Sequence, residues 1–364
     1  LERNREAFRR HILVPRYLCD VSKRDQSVTL LGRTYSSAFG ISPTGLAGLF
    51  RPDADLLLAR AAAEANIPYL MSSASTNSIE DAVKVAPDNT WFQIYGTSND
   101  AINEDLVRRA RDLNVQTLVV TVDVPVNANR ERNRRNGFSR PLKMTASTVL
   151  EALGHPAWVL RYVMNGGLPM MENWKPYAPK GASAAQVAEL YGSLTPAPMV
   201  TWKTLERVRT LWQGSLVVKG ILHPEDAVRA ADLGCDAIMV SNHGARQLDA
   251  APSPVDMLPL IRASVGDRVE LMLDSGVRRG SDIVIALCLG ARFTTFGRPT
   301  LYGAAAGGMK GIQKAIEIVR REIDMVMAQI GCAALRNLGP EYITVGPPQV
   351  TGTAKTPMLA SAGG

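Results

Sequence analysis

A histidine followed three residues later by an arginine offers the clearest chemistry in this sequence. His243 and Arg246 lie within residues 241–249, Ser-Asn-His-Gly-Ala-Arg-Gln-Leu-Asp, directly after an apolar run. Near neutral pH an imidazole can take a proton from a bound molecule, and a guanidinium can hold a carboxylate through two parallel hydrogen bonds. A lone histidine is more often structural, but this position predicts a base that acts on an organic acid.

Two turns late in the chain form a candidate anion site. Residues 274–280 contain Gly276 and Arg278, and Gly297 with Arg298 follow the next apolar run. Small residues let backbone N–H groups approach an anion, and a helix that starts after such a turn directs its positive end toward it. The paired turns predict a phosphate site; the alternative is two solvated basic turns.

Lys219 is the third candidate, because it ends the apolar run Val-Val-Lys. A lysine at the end of a buried strand is costly without an anionic partner. It is therefore either a Schiff-base lysine or a counter-charge to a cofactor. The sequence shows no separate nucleophile, metal-ligand cluster or dinucleotide glycine fingerprint beside it.

Eight short apolar runs must position these side chains, and helix-length amphipathic stretches separate most of them. The alternation predicts a parallel sheet, and eight repeats predict an α/β fold of the (β/α)8 barrel (TIM barrel) type. The runs are residues 37–42, 68–72, 91–95, 117–122, 216–219, 237–241, 269–273 and 293–296. Helices are predicted at 55–65, 105–113, 224–233 and 281–289.

Polar residues at or just after the ends of these runs strengthen the barrel prediction. In a barrel all strand ends converge on one face, where the chemistry occurs, whereas an open sheet would gather only a few of them. The polar residues are Ser42, Ser72, Gln93, Tyr95, Thr121, Asp123, Lys219, His243, Asp274 and Arg298, the last of which follows Gly297.

A long insertion, at about residues 126–200, follows the fourth predicted strand. It is too long for an ordinary loop and predicts a lid or functional insert. Its apolar and aromatic middle, residues 148–174, predicts a helix carrying Leu150, Leu153, Trp158, Leu160, Val163 and Met164, then an apolar turn at 168–171. Residues 1–345 are predicted to form one domain. Residues 346–364, rich in Gly, Pro, Ala and Thr, are predicted to be a disordered tail.

The composition is that of an ordinary globular protein. The 364 residues are 46% hydrophobic and 21% charged, with a net charge of +7, which excludes a disordered or fibrous chain and does not indicate nucleic-acid binding. No apolar run is long enough to span a bilayer. The scattered Cys19, Cys235, Cys288 and Cys332 predict reduced thiols and a cytoplasmic protein. The chain starts at Leu1, so we expect its natural N-terminus to be missing.

Five motifs in order resemble the FMN-dependent L-2-hydroxy-acid oxidase and dehydrogenase family. They are residues 91–95, 121–125, 218–220, 241–249 and 274–280, and the resemblance runs from Asn4 to Pro340. Stretches 43–46, 127–136 and 155–158 are most similar to the bacterial (S)-mandelate and L-lactate dehydrogenases of that family.

The resemblance implies roles for the residues that would act on the substrate. His243 would be the base, and Asp123 would stabilise its imidazolium. Arg246 and Arg130 would bind the substrate carboxylate, and Tyr95 the hydroxyl group. Whether His243 takes the α-proton or the hydroxyl proton stays open.

The resemblance also implies an FMN site. Main chain at Ser42, Pro43, Thr44 and Gly45 would lie beside the flavin. The isoalloxazine ring would be held by Ser72, Gln93 and Thr121, with Lys219 opposite its negative charge. Asp274 would take ribityl hydroxyls beside Gly276, and Arg278, Gly297 and Arg298 the phosphate.

Two departures from the family pattern stand out. Ala245 replaces the usual second glycine of the histidine motif, and the family's N-terminal tyrosine, which helps to hold the substrate, has no counterpart. Gly45 stands where related oxidases carry alanine.

The sequence thus predicts an FMN-dependent (S)-2-hydroxy-acid dehydrogenase, mandelate-like in preference to lactate-like, that reduces a quinone or other carrier. Alternatives are an oxidase that uses oxygen, an FMN-dependent isomerase and a non-catalytic flavin-binding protein. A homotetramer is expected, and the insert is predicted either to rest on the inner face of the cell membrane or to act as a lid or oligomer contact.

Overall fold

The protein is represented by a computed structural model that describes residues 1–137 and 145–346. The strands are β1 (His11–Leu13), β2 (Val28–Leu30), β3 (Arg33–Tyr35), β4 (Phe39–Ile41), β5 (Tyr69–Ser72), β6 (Thr90–Tyr95), β7 (Thr117–Thr121), β8 (Ser215–Ile221), β9 (Ala237–Val240), β10 (Glu270–Asp274), β11 (Phe293–Phe296) and β12 (Ile343–Val345). The helices are α1 (Glu2–Arg9), α2 (Ala54–Glu64), α3 (Ile79–Val85), α4 (Asp100–Asp112), α5 (Glu131–Arg135), α6 (Ala146–Leu153), α7 (Pro156–Met164), α8 (Ala184–Leu194), α9 (Trp202–Leu211), α10 (Pro224–Asp232), α11 (Pro254–Val265), α12 (Gly280–Cys288) and α13 (Arg298–Gln329).

Strands β4 to β11 form a closed parallel barrel in chain order, with β11 pairing back onto β4. Every residue of β7 and of β9 is buried, because side chains on one face fill the barrel and those on the other lie under the helices. This is why the strands read as continuous apolar runs. All eight predicted runs coincide with these strands, so the predicted (β/α)8 barrel is confirmed.

The predicted helices are present, with shifted ends. Helix α4 starts at Asp100 rather than at the predicted residue 105, because the Asn99 side chain accepts the N–H groups of Ala101 and Ile102 and caps the helix there. Helix α10 starts where predicted, since Pro224 takes its first position.

Two smaller strand pairs lie outside the barrel. Strands β2 and β3 form an antiparallel hairpin before the first barrel strand. Strands β1 and β12 pair antiparallel, His11 opposite Val345, so the beginning and end of the described chain lie together. Helix α1 contacts α11 and thereby joins the N-terminal segment to the barrel.

The insertion between β7 and α9 contains α5 to α8. The prediction of one continuous helix in the first part of 148–174 is wrong. The segment is two helices, α6 and α7, because His155 precedes Pro156 and a residue before proline is held away from helical geometry. Met171 and Trp174, at and beyond the predicted apolar turn, are buried rather than free.

Helix α7 rests on the barrel through two aromatic residues. Trp158 donates its Nε1–H to the Leu49 carbonyl oxygen at 3.2 Å, and the buried Tyr162 donates its hydroxyl to that of Gly48. Trp158, which was predicted on one helix with five other apolar residues, thus lies against the barrel. The outward face of α6 and α7 still carries exposed apolar side chains: Leu150, Leu153, Leu160, Val163 and Met164. These five residues are called the apolar face below.

Some predictions concern residues that the structure does not describe. The predicted tail at 346–364 lies outside the described residues except for Gly346. Residues 138–144 of the insertion also lie outside them. In the described ranges no helix has both the length and the apolar character needed to cross a bilayer. All four cysteines lie in those ranges and are free thiols, as predicted.

Candidate active site

A histidine–aspartate pair lies at the carboxyl-terminal face of the barrel. The Nδ1 atom of His243, after β9, is 2.9 Å from Oδ1 of Asp123, after β7. The two side chains are 17% and 11% exposed, so the pair is shielded from bulk water yet reachable. When Nδ1–H donates to the carboxylate, Nε2 is left as the basic nitrogen. The geometry therefore provides a base with a charged partner behind it.

The loop that carries His243 is held by hydroxyl groups on both sides. The backbone N–H of His243 donates to Oγ of Ser241 at 3.0 Å, and that of Gly244 donates to Oγ of Ser275 at 2.7 Å. His243 itself has a φ of 58°, a left-handed conformation that needs such support. Ser275 follows β10, so sequence reasoning had no signal that it would contact the β9 loop.

Ala245 also has a left-handed backbone, with a φ of 57°. A left-handed backbone costs a non-glycine residue about 1–2 kcal/mol of stability. Glycine avoids this cost, but its more flexible unfolded chain cancels part of the gain. We therefore expect Ala245→Gly to raise the free energy of unfolding by about 0.5–1 kcal/mol, measured by urea titration. The control Ala101→Gly, at an exposed position of α4, should lower the free energy of unfolding by a similar amount. A less stable Ala245→Gly protein would contradict this interpretation.

A buried ion pair lies on the barrel's interior at the same face. Nζ of Lys219 is 3.1 Å from Oδ2 of Asp274, and their side chains are 4% and 10% exposed. Both Asp274 oxygens accept further bonds, from Ser42 at 2.6 Å and from Ser241 at 2.7 Å. Lys219 also donates to Oγ of Ser241 at 3.0 Å.

Both members of the pair are charged near neutral pH. Burial alone raises the pKa of Asp274, but Lys219 and the hydroxyls of Ser42 and Ser241 outweigh it and hold the pKa well below its usual value. Burial lowers the pKa of Lys219, but the carboxylates of Asp274 and Asp123 more than compensate and raise it. A fixed positive charge thus sits under the site. That Asp274 also takes ribityl hydroxyls, as the resemblance implies, stays a prediction.

Several polar side-chain atoms lack hydrogen-bond partners, and they show whether the site could hold FMN. Gln93 is fully buried, and neither its Oε1 nor its Nε2 has a hydrogen-bond partner in the described residues; Oγ1 of Thr121 and of Thr44 are in the same position. A buried polar group that lacks a hydrogen bond costs about 1–3 kcal/mol of stability. The pyrimidine end of a flavin offers both carbonyl acceptors and an N–H donor. The residues present therefore fit this cofactor.

Positive charge accumulates on one side of that set. Burial and the positive charges of Arg298 and Arg5 lower the pKa of Arg278. Arg298 also donates to the Gly244 carbonyl oxygen at 2.9 Å and opens α13 after Gly297. An anion would relieve this repulsion, so the cluster fits the FMN phosphate. Arg5, on α1, was not among the predicted residues.

The predicted substrate residues are also brought together. Nε of Arg130 donates to the Arg246 carbonyl oxygen at 3.3 Å, although about a hundred residues separate them. The rings of Tyr95 and His243 lie with centroids 6.3 Å apart. Gln247, in the quoted motif but given no role there, contacts Arg130 directly.

The remaining predicted residues lie in the same region. Ser72 ends β5, and its Oγ accepts the Ala74 N–H at 3.1 Å, so its own proton is left to donate. Gly45 lies where a Cβ would be 3.2 Å from that of Ala74. Gly276 has a φ of 93°, and a Cβ there would be 2.9 Å from the Phe8 ring. Pro43 lies between Ser42 and Thr44 in the loop after β4.

Fold and site together define a (β/α)8 enzyme with a base–carboxylate pair beside a flavin-compatible set of polar groups. Comparison with known proteins makes this specific. The sequence profile described as FMN-dependent dehydrogenase matches residues 1–345. The chain is 40% identical to (S)-mandelate dehydrogenase of Pseudomonas putida, covering 94% of this chain and 86% of the relative. It is 38% identical to a putative L-lactate dehydrogenase of Mycobacterium tuberculosis, covering 94% and 81%.

A solved structure supports the same relationship. The crystal structure of the monotopic membrane protein (S)-mandelate dehydrogenase superposes with a TM-score of 0.90 at 39% identity, covering 94% of this chain and 90% of that one. The chain belongs to the FMN-dependent dehydrogenase family. The predictions of an oxidoreductase and of FMN as its cofactor are confirmed.

Proposed function

We propose that this protein oxidises an (S)-2-hydroxy acid to the 2-oxo acid and passes the electrons to a quinone or another carrier. The observation that carries the proposal is the 2.9 Å contact of His243 with Asp123. Arg246 follows His243 in the same loop, and Arg130 donates to the Arg246 carbonyl oxygen. That set joins a base to two groups suited to a carboxylate. The two named sequence relatives are an (S)-mandelate dehydrogenase and a putative L-lactate dehydrogenase, and mandelate and lactate are both 2-hydroxy acids.

The residues divide the work between binding and proton transfer. Arg130 and Arg246 hold the substrate carboxylate, and Tyr95 hydrogen-bonds its hydroxyl group. His243 takes one proton at Nε2, and Asp123 stabilises the imidazolium that forms. FMN, when bound, supplies the capacity to take two electrons from the substrate and give them up again. The substrate loses two electrons and two protons in total: one proton goes to His243, and the two electrons go, together with the other proton, to bound FMN.

The substrate side chain is proposed to be aryl, as in mandelate. Gly45, Asn127 and Ala128 are small or polar, and we infer from their types that a ring can be accommodated. A methyl side chain, as in lactate, would fill less of that room and gain less from burial.

Anaerobic bleaching of the flavin tests the proposal. We expect (S)-mandelate to bleach the flavin spectrum, faster than L-lactate does, and to leave the 2-oxo acid. An isomerase would convert its substrate without lasting bleaching, and a non-catalytic protein would bind FMN without change. Equal reaction of 2-hydroxy amides or esters would remove the two arginines from their proposed role.

The electron acceptor is proposed to be a carrier rather than oxygen. Gly45 is packed against Ala74, in the loop proposed to border the flavin, where related oxidases carry alanine. We expect slow formation of hydrogen peroxide in air and fast reduction of a short-tail quinone. Rapid peroxide formation would favour the oxidase alternative.

We propose that the protein lies peripherally on the inner face of the cell membrane. The apolar face points away from the barrel while Trp158 and Tyr162 anchor the opposite side of α7. Arg161 and Lys175 lie nearby in sequence and suit an anionic leaflet. The similar solved structure is that of a monotopic membrane protein.

The proposed homotetramer can be tested by light scattering.

Charged residues on the apolar face should abolish membrane binding. Burial of a large apolar side chain contributes about 1.5–3 kcal/mol, so Leu153→Glu with Leu160→Glu should weaken binding to anionic phospholipid vesicles at least about 100-fold. Leu260→Glu, at a 55% exposed leucine on α11, is the matched control and should bind like the wild type. Co-sedimentation with vesicles measures both. If the wild-type protein stays in the supernatant at low salt, the insert is a lid or an oligomer contact.

A further inference from the structure

The first residues of the insertion are fastened to the histidine loop by one side chain. Gln247 accepts a hydrogen bond from Nη2 of Arg130 at 2.8 Å through Oε1. Its Nε2 donates to the carbonyl oxygen of Val126 at 3.3 Å. One amide thus holds both ends of the segment 126–130, which has no regular secondary structure.

This contact fixes where Arg130 lies relative to Arg246. Nε of Arg130 also donates to the Arg246 carbonyl oxygen at 3.3 Å, so two bonds lead from its guanidinium to the two consecutive residues 246 and 247. Arginine side chains lose considerable conformational entropy when they are ordered. If the guanidinium is already held in place before the substrate arrives, substrate binding does not have to supply that part of the entropy cost.

We propose that Gln247 is a positioning residue, which holds Arg130 in the orientation that receives the substrate carboxylate. The inference rests on the proposed function, because it assigns Arg130 to the carboxylate. Gln247 takes no part in proton transfer. Its neutral amide suits this place, since a carboxylate there would pair with Arg130 and repel the substrate.

Gln247→Leu keeps the approximate size of the side chain and removes both bonds. A hydrogen bond to a charged group contributes about 1.5–3 kcal/mol, so KM for (S)-mandelate should rise about 10-fold or more while kcat stays within about two-fold. The Kd of oxalate, followed by perturbation of the flavin spectrum of the oxidised holoenzyme, should rise in parallel. Gln247→Glu should raise both constants further. Gln213→Leu, at an exposed glutamine that donates to the Thr210 carbonyl oxygen, is the control and should change neither.

A double-mutant cycle with Arg130→Met separates positioning from a general structural effect. If Gln247 acts through Arg130, Gln247→Leu should add little to the KM and the oxalate Kd of the Arg130→Met protein. Additive effects, or wild-type oxalate binding in Gln247→Leu, would overturn the proposal. Should Gln247→Leu fail to fold, Gln247→Asn, whose shorter amide cannot make both contacts, takes its place in the cycle. If (S)-mandelate and L-lactate leave the wild-type flavin oxidised, the proposed function fails instead, while the oxalate cycle still tests the contact.

Discussion

Replacing His243 by alanine is expected to leave FMN bound and to slow anaerobic reduction of the flavin by (S)-mandelate at least about 100-fold, the lower range for a lost general base. FMN should remain because the groups that fit it, Gln93 and Thr121 among them, lie on other strands. The rate is measured by stopped-flow absorbance. The amount of FMN is measured by its release on denaturation.

His155→Ala is the matched control, since this exposed histidine precedes α7 and makes no capping hydrogen bond there. It should reduce its flavin at the wild-type rate in detergent solution. The rate of flavin reduction in Asp123→Asn should fall between those of His243→Ala and His155→Ala, because the substitution keeps the shape of Asp123 but removes its charge. Near-normal flavin reduction in His243→Ala would take His243 out of the mechanism.

Replacing Lys219 by methionine is expected to destabilise the protein by about 3–5 kcal/mol, because removal of one partner leaves the buried charge of Asp274 uncompensated. FMN affinity should fall as well, since the proposed counter-charge is lost. Urea titration and FMN titration measure the two effects. Lys314→Met is the control, because it breaks an exposed ion pair in which Lys314 and Glu317 are 3.0 Å apart. It should lower the free energy of unfolding by less than about 1 kcal/mol.

The Lys219 effect should depend on pH in a defined direction. In the wild type the pKa of Asp274 is lower in the folded than in the unfolded state. Its stabilisation is therefore present above about pH 4 and is lost as the pH falls through the folded pKa. In Lys219→Met, protonation relieves the uncompensated charge, so the difference in unfolding free energy between the two proteins should shrink on acidification. A difference that stays constant down to pH 3 would contradict the assigned charges.

The barrel was predictable from sequence because its strands are buried on both faces. Burial demands continuous apolar residues, and the apolar run ends where the chain emerges at the functional face. Runs such as residues 117–122 therefore predicted both a strand and the place of its functional end at Thr121 and Asp123.

Contacts between loops could not be predicted in the same way. Ser275 and Gln247 act through hydrogen bonds to residues on other loops, and no periodicity in the sequence marks such bonds. Arg5 is similar, since it reaches the basic cluster only because α1 packs onto the barrel. The motifs predicted which residues meet at the site but not what holds them there.

The insertion shows a different limit. Hydrophobic periodicity identified an amphipathic stretch, but it could not tell which side of α7 faces the barrel, because both sides are apolar. Trp158 and Tyr162 face inward through the one hydrogen-bonding group that each carries. An aromatic residue with a polar atom can thus serve either as an interfacial anchor or as a tether to the protein's own backbone.

The N-terminal helix has a consequence for handling this protein. The amides of Asn4, on α1, and Asn242 donate to each other's oxygens at 2.8 and 2.7 Å, and both residues are buried. Asn242 immediately precedes His243, so the first turn of α1 packs against the loop that carries the base. An affinity tag or cleavage site placed close to Asn4 is therefore expected to disturb the loop that carries the base.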